Sequence, residues 1–334
     1  VLLALLDRWR GEALKAGARI ERITVAYEAG RDGFWLARWL QARGVEAHVI
    51  HPNSIPVPRE HRRAKSDRLD TELLVRGFLG WLRGEEKHCT MVRVTCIEEE
   101  DLKRPNREHQ SLVAERTALI NRLKACMIRF GIRTFNPKLK KAAEHLAQLV
   151  TPEGVPLPGN TFAECRRDLA RLALIKEQIK AIETDRQKRL TAQPTHKHST
   201  TARQLNRVVG LGLETADMLS SEIFSRPLRD RRAVARYGGL TGSPDESGRR
   251  RREQGLARAG NARVRFGMLQ FAWRFLRFQE DSPLAQWYRQ RTQSARKDVR
   301  KLMIVALARK LLVALWRLVS QGVLPEGVRL REAA

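Results

Sequence analysis

ITVAYEAGRDGFWLARWLQARGVEAHVI, residues 23–50, decides the first part of the fold. Ile23 to Tyr27 is β-branched and aromatic and reads as a buried strand ending at Glu28. Arg31 to Arg43 carries Phe34, Trp35, Leu36, Trp39 and Leu40 at helical spacing and closes at Gly44. Val45 to Ile50 is a second short strand, stopped by His51-Pro52. Strand, helix and strand in this order make a βαβ crossover, so the two strands are expected to be parallel.

Working outward, residues 1–17 have helical apolar spacing (Leu2, Leu3, Leu5, Leu6, Trp9, Leu14) with Gly17 as the stop. Beyond the crossover, a proline-rich basic loop (Asn53 to Arg63) leads to Ser66, a candidate N-cap for a helix from Asp67 to Leu82. CTMVRVT is a candidate third strand, so an α/β domain is expected over residues 1–95. Glu98 to Arg129 reads as one long charged helix, Lys138 to Val150 as a second, and Thr161 to Leu190 as a third. The stripe Leu169, Leu172, Ile175, Ile179, Ile182 fits either an antiparallel coiled-coil arm over 96–195 or an ordinary helical bundle. The polar run Ala192 to Ala202 is a candidate boundary before a mostly helical part, 196–334.

That last part opens with LNRVVGLGLETADMLSSEIF, two helical runs around Gly210-Leu211-Gly212. Such a turn is either a helix-hairpin-helix, with Gly210 and Gly212 offering N–H groups to a DNA phosphate, or a plain helical turn. Arg229 to Tyr237, Asn261 to Phe278 and Lys301 to Val319 are further helices. There is no glycine-rich phosphate loop that would point to ATP-driven chemistry.

Composition narrows the partner. With 64 Lys+Arg against 37 Asp+Glu in 334 residues, the net charge is +27, which calls for a polyanion such as nucleic acid. Apolar runs are short and broken by charge, so no membrane role is expected. Four cysteines without CxxC spacing read as reduced thiols of a cytoplasmic protein rather than as zinc ligands.

Two groups of residues carry candidate chemistry. The stretch YGGLTGSPDESGRRRREQGLARAGNARVR (Tyr237 to Arg265) has seven arginines and sets Ser247-Gly248 directly before Arg249, Arg250, Arg251 and Arg252. A hydroxyl beside guanidinium forks suits phosphate chemistry, while the plainer reading is a solvated basic loop that touches nucleic acid. Arg258, Asn261, Arg263 and Arg265 extend the same surface. The second group is acidic. Glu28 ends a strand and Asp67 and Asp70 share the first turn of a helix, near the strand ends where α/β sheets bind ligands. They are Mg²⁺ ligands, or Asp67 and Asp70 are simply acids stabilised by the helix dipole.

In this order, YEAG, AKSDRLD, a helical arm, VVGLGLETADML, YGGLTGSPDESG with GLARAGNARVR, and ALARKLLVALW resemble the DEDD transposases of the insertion-sequence one-ten class, the bridge-RNA-guided serine recombinases. The resemblance spans nearly the whole chain. It implies an α/β plus α architecture: a RuvC-like (RNase H-fold) domain, a coiled-coil arm, and a helical transposase domain with a helix-hairpin-helix-like element. It makes Glu28 the second family acid, Asp67 and Asp70 the third and fourth, and Ser247 the nucleophile of a phosphoserine intermediate. It further implies Mg²⁺, donor and target DNA, a noncoding guide RNA, a homo-oligomeric dimer or tetramer, and a place at the bacterial nucleoid. Arg249 to Arg252 would clamp the scissile phosphate, and Arg258, Arg263 and Arg265 the flanking backbone. Two departures stand out. Gly242 replaces a frequent proline, and the first family aspartate, expected on an earlier strand, has only Asp7, in a predicted helix, as its counterpart. A missing start or a degenerate copy would account for the second. The competing readings are a metal-dependent junction nuclease and a non-catalytic nucleic-acid-binding remnant.

Overall fold

The computed structural model describes residues 1–30, 33–55, 66–85, 88–247, 250–257 and 259–332. They divide into two compact units, Val1–Glu100 and Asp101–Ala334.

The first unit begins with helix α1 (Leu2–Lys15), whose Leu6 is buried. Gly17 at φ +75° turns the chain out of it. Strand β1 (Thr24–Glu28), helix α2 (Trp35–Gln41) and strand β2 (Glu46–Ile50) form the crossover, and β1 and β2 are parallel, in register from Thr24 opposite Glu46 to Glu28 opposite Ile50. The small core joins Leu6, Ala37 and Leu40 to Val45, Ala47 and Val49. It explains the strand patterns: β2 alternates into this core, whereas β1 is only half-buried rather than the buried strand its apolar content suggests. Helix α3 (Asp67–Leu82) starts where Ser66 Oγ accepts from Leu69 N at 3.3 Å, as a serine N-cap should. Strand β3 (Met91–Val92) adds antiparallel to β2 and completes a sheet of order β1-β2-β3.

The next charged run is not one helix. Helix α4 (Ile97–Asp101) stops, and α5 (Arg104–Arg129) starts with Pro105 in its first turn, where a missing N–H costs nothing. Helix α6 is confined to Ala142–Ala147, and α7 runs Gly159–Ala192. The pairs His109–Glu183, Arg122–Asp168 and Cys126–Cys165 step in opposite directions along the chain, so α5 and α7 are antiparallel. Leu119, Leu123 and Met127 pack there against Leu172, Ile175 and Ile179.

The polar run around residue 197 is not a free linker. It leads into helix α8 (Lys197–Asn206), where His198, Ser199 and Thr201 are buried. Then follow α9 (Leu213–Glu222), α10 (Arg231–Tyr237), strands β4 (Gly242–Ser247) and β5 (Arg250–Leu256), and α11 (Ala262–Phe278). Helices α12 (Pro283–Thr292), which the sequence reading passed over, and α13 (Lys297–Gln321) close the unit. Phe271 and Phe275 of α11 are fully enclosed with Leu205, Leu219 and Leu312, each burial worth about 1.5–3 kcal/mol.

Candidate nucleic-acid site

Ser247 stands at the end of a β-hairpin rather than in a loop. Strands β4 and β5 are antiparallel, with Ser247 opposite Arg250, Glu246 opposite Arg251 and Asp245 opposite Arg252. A register irregularity at Gly242/Ser243 marks the foot of the ladder. Gly248, Arg249 and Arg258 lie outside the described residues, as do the side chains of Ser247, Arg250, Arg251 and Arg252.

The foot of the hairpin is tied to the helical core by backbone contacts. Ala257 N donates to Thr241 O at 3.0 Å and Asn261 N to Tyr237 O at 2.7 Å. Gly260 makes this possible. Its φ is +88°, and a Cβ there would stand 2.6 Å from Arg236 O and from the Gly239 backbone. Only a residue without a side chain allows that approach. Asn261 serves as the α11 N-cap, accepting from Arg263 N (3.0 Å) and Val264 N (3.2 Å), while its Nδ2 donates to Glu222 Oε2 at 3.0 Å. Arg265 Nη1 donates to Ala259 O at 3.3 Å. Asn261 and Arg265, expected on the nucleic-acid face, thus have partners within the protein that hold the hairpin in place. Arg263 is half-buried, with its Nε lacking a partner among the described residues.

Gly210 and Gly212 form the α8–α9 turn, but Gly210 is buried. A Cβ on it would meet the Arg274 and Phe275 backbone at 3.6–3.7 Å, so the turn packs on α11 instead of opening to a phosphate. Gly212 caps α9 and lies near the Arg274 guanidinium.

Below the hairpin is a buried charge cluster that sequence reasoning missed. Asp217, with no exposed surface, accepts from His198 Nε2 (2.7 Å), Asn106 Nδ2 (2.8 Å), Arg189 Nη2 (2.9 Å) and Arg186 Nε (3.3 Å). Burial pushes its carboxyl up, but the His198 hydrogen bond and the Arg189 charge outweigh that and hold it at about 2. Glu222, 2% exposed, pairs with Arg107 Nε at 3.0 Å. These contacts lock the α5–α7 pair onto α8 and α9. The available signal was Asp217 at the centre of LETADMLSSE, flanked by Ala216 and by Met218-Leu219.

The acids of the first unit are placed differently. Glu28 is the exposed last residue of β1, and Asp67 and Asp70 are exposed in the first turn of α3, which packs on β1. Their oxygens are the right donors for Mg²⁺. Among the described residues, however, no three His, Cys, Asp or Glu side chains gather as a metal site. Asp7 lies on α1, 3.5 Å from Arg10, and not on a strand. No described helix is long and apolar enough to cross a membrane.

Comparison with known proteins gives the family. The family described as "Transposase IS116/IS110/IS902 family" matches residues 202–289, which hold α9, α10, the hairpin and α11. A second family, described as "Transposase" and of the DEDD IS110 type, matches residues 4–131. A "Putative transposase y4rJ" from Sinorhizobium fredii is 42% identical over 336 residues, covering 98% of this chain and 85% of the relative. The chain therefore belongs to the IS110 family of DEDD transposases.

Proposed function

We propose that this transposase cuts and rejoins DNA through Ser247, by way of a phosphoserine intermediate. The observation that carries the reading is the position of Ser247. It ends β4 opposite Arg250, on a hairpin fixed at its foot, inside the part of the chain that matches the transposase family. A serine held there can meet a phosphate whose charge the adjoining arginines neutralise. In the reaction, a bond forms between Ser247 Oγ and phosphorus as the bond from phosphorus to a sugar oxygen breaks. The serine proton leaves to solvent or a base, and the departing sugar oxygen takes one up. One phosphate ester replaces another, so the reverse attack rejoins DNA without nucleotide hydrolysis.

Glu28, Asp67 and Asp70 are the oxygen donors that would take Mg²⁺, which when bound supplies charge neutralisation at phosphate. They belong to the first unit and Ser247 to the second. The remaining assignments are a helical arm over 96–195, a transposase domain over 196–334, a guide RNA, and a homo-oligomer. With a guide RNA, base pairing would read the sequence while the protein holds backbone.

The test is to incubate the protein with end-labelled donor and target DNA and its RNA, denature, and look for label on protein. A DNA–protein adduct that disappears in Ser247→Ala is expected. Cleavage to free ends with no adduct, unchanged in Ser247→Ala, would instead indicate a junction nuclease.

A further inference from the structure

Beside the hairpin, α10 and α13 enclose a cleft of about 970 Å³. Its walls carry Arg231, Arg232 and Arg236 from α10 and Arg309 and Arg317 from α13. Its floor is apolar, built on Ala235, Val313 and Ala314, and it opens at the hairpin foot, Thr241 and Gly242. No acid lines it. All five arginines are exposed, and none has an ion pair or side-chain hydrogen bond among the described residues. This sets them apart from buried Arg186 and half-buried Arg189 of the same unit, which both pair with Asp217. Five guanidinium groups lining one concavity, without a carboxylate partner among the described residues, repel each other unless an anion enters.

We propose that this cleft is a track for the sugar–phosphate backbone of DNA. Arg309 and Arg317 are eight residues apart on α13, which is about 12 Å along a helix rising 1.5 Å per residue. Successive phosphates of one DNA strand advance about 3.4 Å along the duplex axis, so the wall spans roughly three to four of them. The guanidinium fork matches phosphate oxygens two at a time. An isolated small anion would satisfy one or two of these arginines; a run of phosphates satisfies both walls. An apolar floor with charged walls suits backbone held by its phosphates and not read by base edges. The choice of DNA as the occupant rests on the Ser247 reading. Gly242 lines the cleft and Ser247 ends the same strand, five residues on, which is about 17 Å at roughly 3.3 Å per residue. DNA lying in the cleft would therefore place a phosphodiester some five base steps further along within reach of that serine.

The test uses the full-length Ser247→Ala protein, so that equilibrium binding is measured without covalent capture. Affinity for a fluorescent DNA duplex is followed between about 50 and 200 mM salt. Arg309→Ala with Arg317→Ala should flatten the slope of log affinity against log salt by about 1.8, since each lost phosphate contact contributes about 0.9. The same loss should occur on unrelated sequences, and the melting temperature should not move, because both side chains are exposed and unpaired. Replacing both arginines by lysine should restore most of the slope. Unchanged affinity and slope in the double alanine and double glutamate variants would overturn the proposal. So would a loss confined to an RNA duplex with DNA binding intact. The nucleophile is judged separately by the adduct assay on the Ser247 protein. A missing adduct with a changed slope leaves the cleft standing and removes the serine, and an adduct with an unchanged slope does the reverse.

Discussion

Asn261 Nδ2 and Glu222 Oε2 meet at 3.0 Å, and that contact joins the last residue of α9 to the cap of α11 directly behind the serine hairpin. Asn261→Ala removes the cap, about 1 kcal/mol, and takes a partner from an acid that is 2% exposed, about 1–3 kcal/mol more. A fall of about 2–4 kcal/mol in unfolding free energy is expected by denaturant titration. Asn261→Asp keeps the cap but sets a second carboxylate against Glu222, and should be no more stable than alanine. A stable Asn261→Ala protein with weakened DNA binding would return Asn261 to the nucleic-acid face.

Gly260→Ala tests whether the hairpin foot must be that tight. The new Cβ would enter at φ +88° and 2.6 Å from two backbone segments. The left-handed conformation costs about 1–2 kcal/mol and the forced backbone shift about 1–3 kcal/mol. The expected outcome is a lower melting temperature together with loss of the Ser247 adduct, because the hairpin is re-aimed. Gly322→Ala is the control. Its φ is also positive, +70°, but nothing lies within 4 Å of the new Cβ, so adduct formation should persist.

Asp217 makes stability depend on acid. Its folded value of about 2 lies below the ordinary 3.8, so its contribution is complete above about pH 4 and is lost as pH falls towards 2. Unfolding free energy should drop on the order of 2 kcal/mol through that window. Asp217→Asn should remove this dependence and cost about 3–5 kcal/mol at neutral pH, since Arg186 is then buried without its counter-charge. His109 acts at the other end. The Glu214 carboxylate, 3.2 Å from Nδ1, raises its value; burial opposes this and Glu183 adds to it. Its contribution is present below about pH 6.5 and is lost as pH rises through the raised folded value, and His109→Gln should flatten that limb. Unfolding curves across pH check both.

The acids of the first unit are best probed by a reading other than activity. Adding Mg²⁺ to the Ser247→Ala protein should raise the melting temperature if Glu28, Asp67 and Asp70 close around an ion, and Asp70→Asn should abolish the shift. Chelator should reverse it. A melting temperature indifferent to Mg²⁺ and to Asp70→Asn would remove the metal from these residues.

Much of the first unit was legible because its signals are local. The β-branched run at Ile23, the helical spacing of Trp35 to Leu40 and the Ser66 cap each act within a few residues, and β1, α2, β2 and α3 fall where those signals point. The hairpin was not legible. GSPDES and RRREQGL have no apolar alternation, and their pairing uses backbone groups that every residue carries. Helix α8 was hidden by its polar composition. His198 reads as surface until two α9 side chains give it partners: Asp217 Oδ1 accepts from its Nε2, and Ser220 Oγ donates to its carbonyl oxygen at 2.9 Å, with Ser199 and Thr201 buried beside it.

The sequence by itself determined the family, the polyanionic partner and the candidate chemistry, because residue order and net charge need no coordinates. It could nominate Ser247, Glu28, Asp67 and Asp70, since a serine before a run of arginines and acids at element ends are visible in one dimension. Only the tertiary structure decided which polar residues are occupied. Asn261 and Arg265 are held by partners at the hairpin foot, and Gly210 is packed on α11. Arg231, Arg232, Arg236, Arg309 and Arg317, more than seventy residues apart at the extremes, share one cleft. An arginine's role depends on whether a carboxylate lies within a few ångströms, and that distance is set by helices packing together, not by the order of residues along the chain.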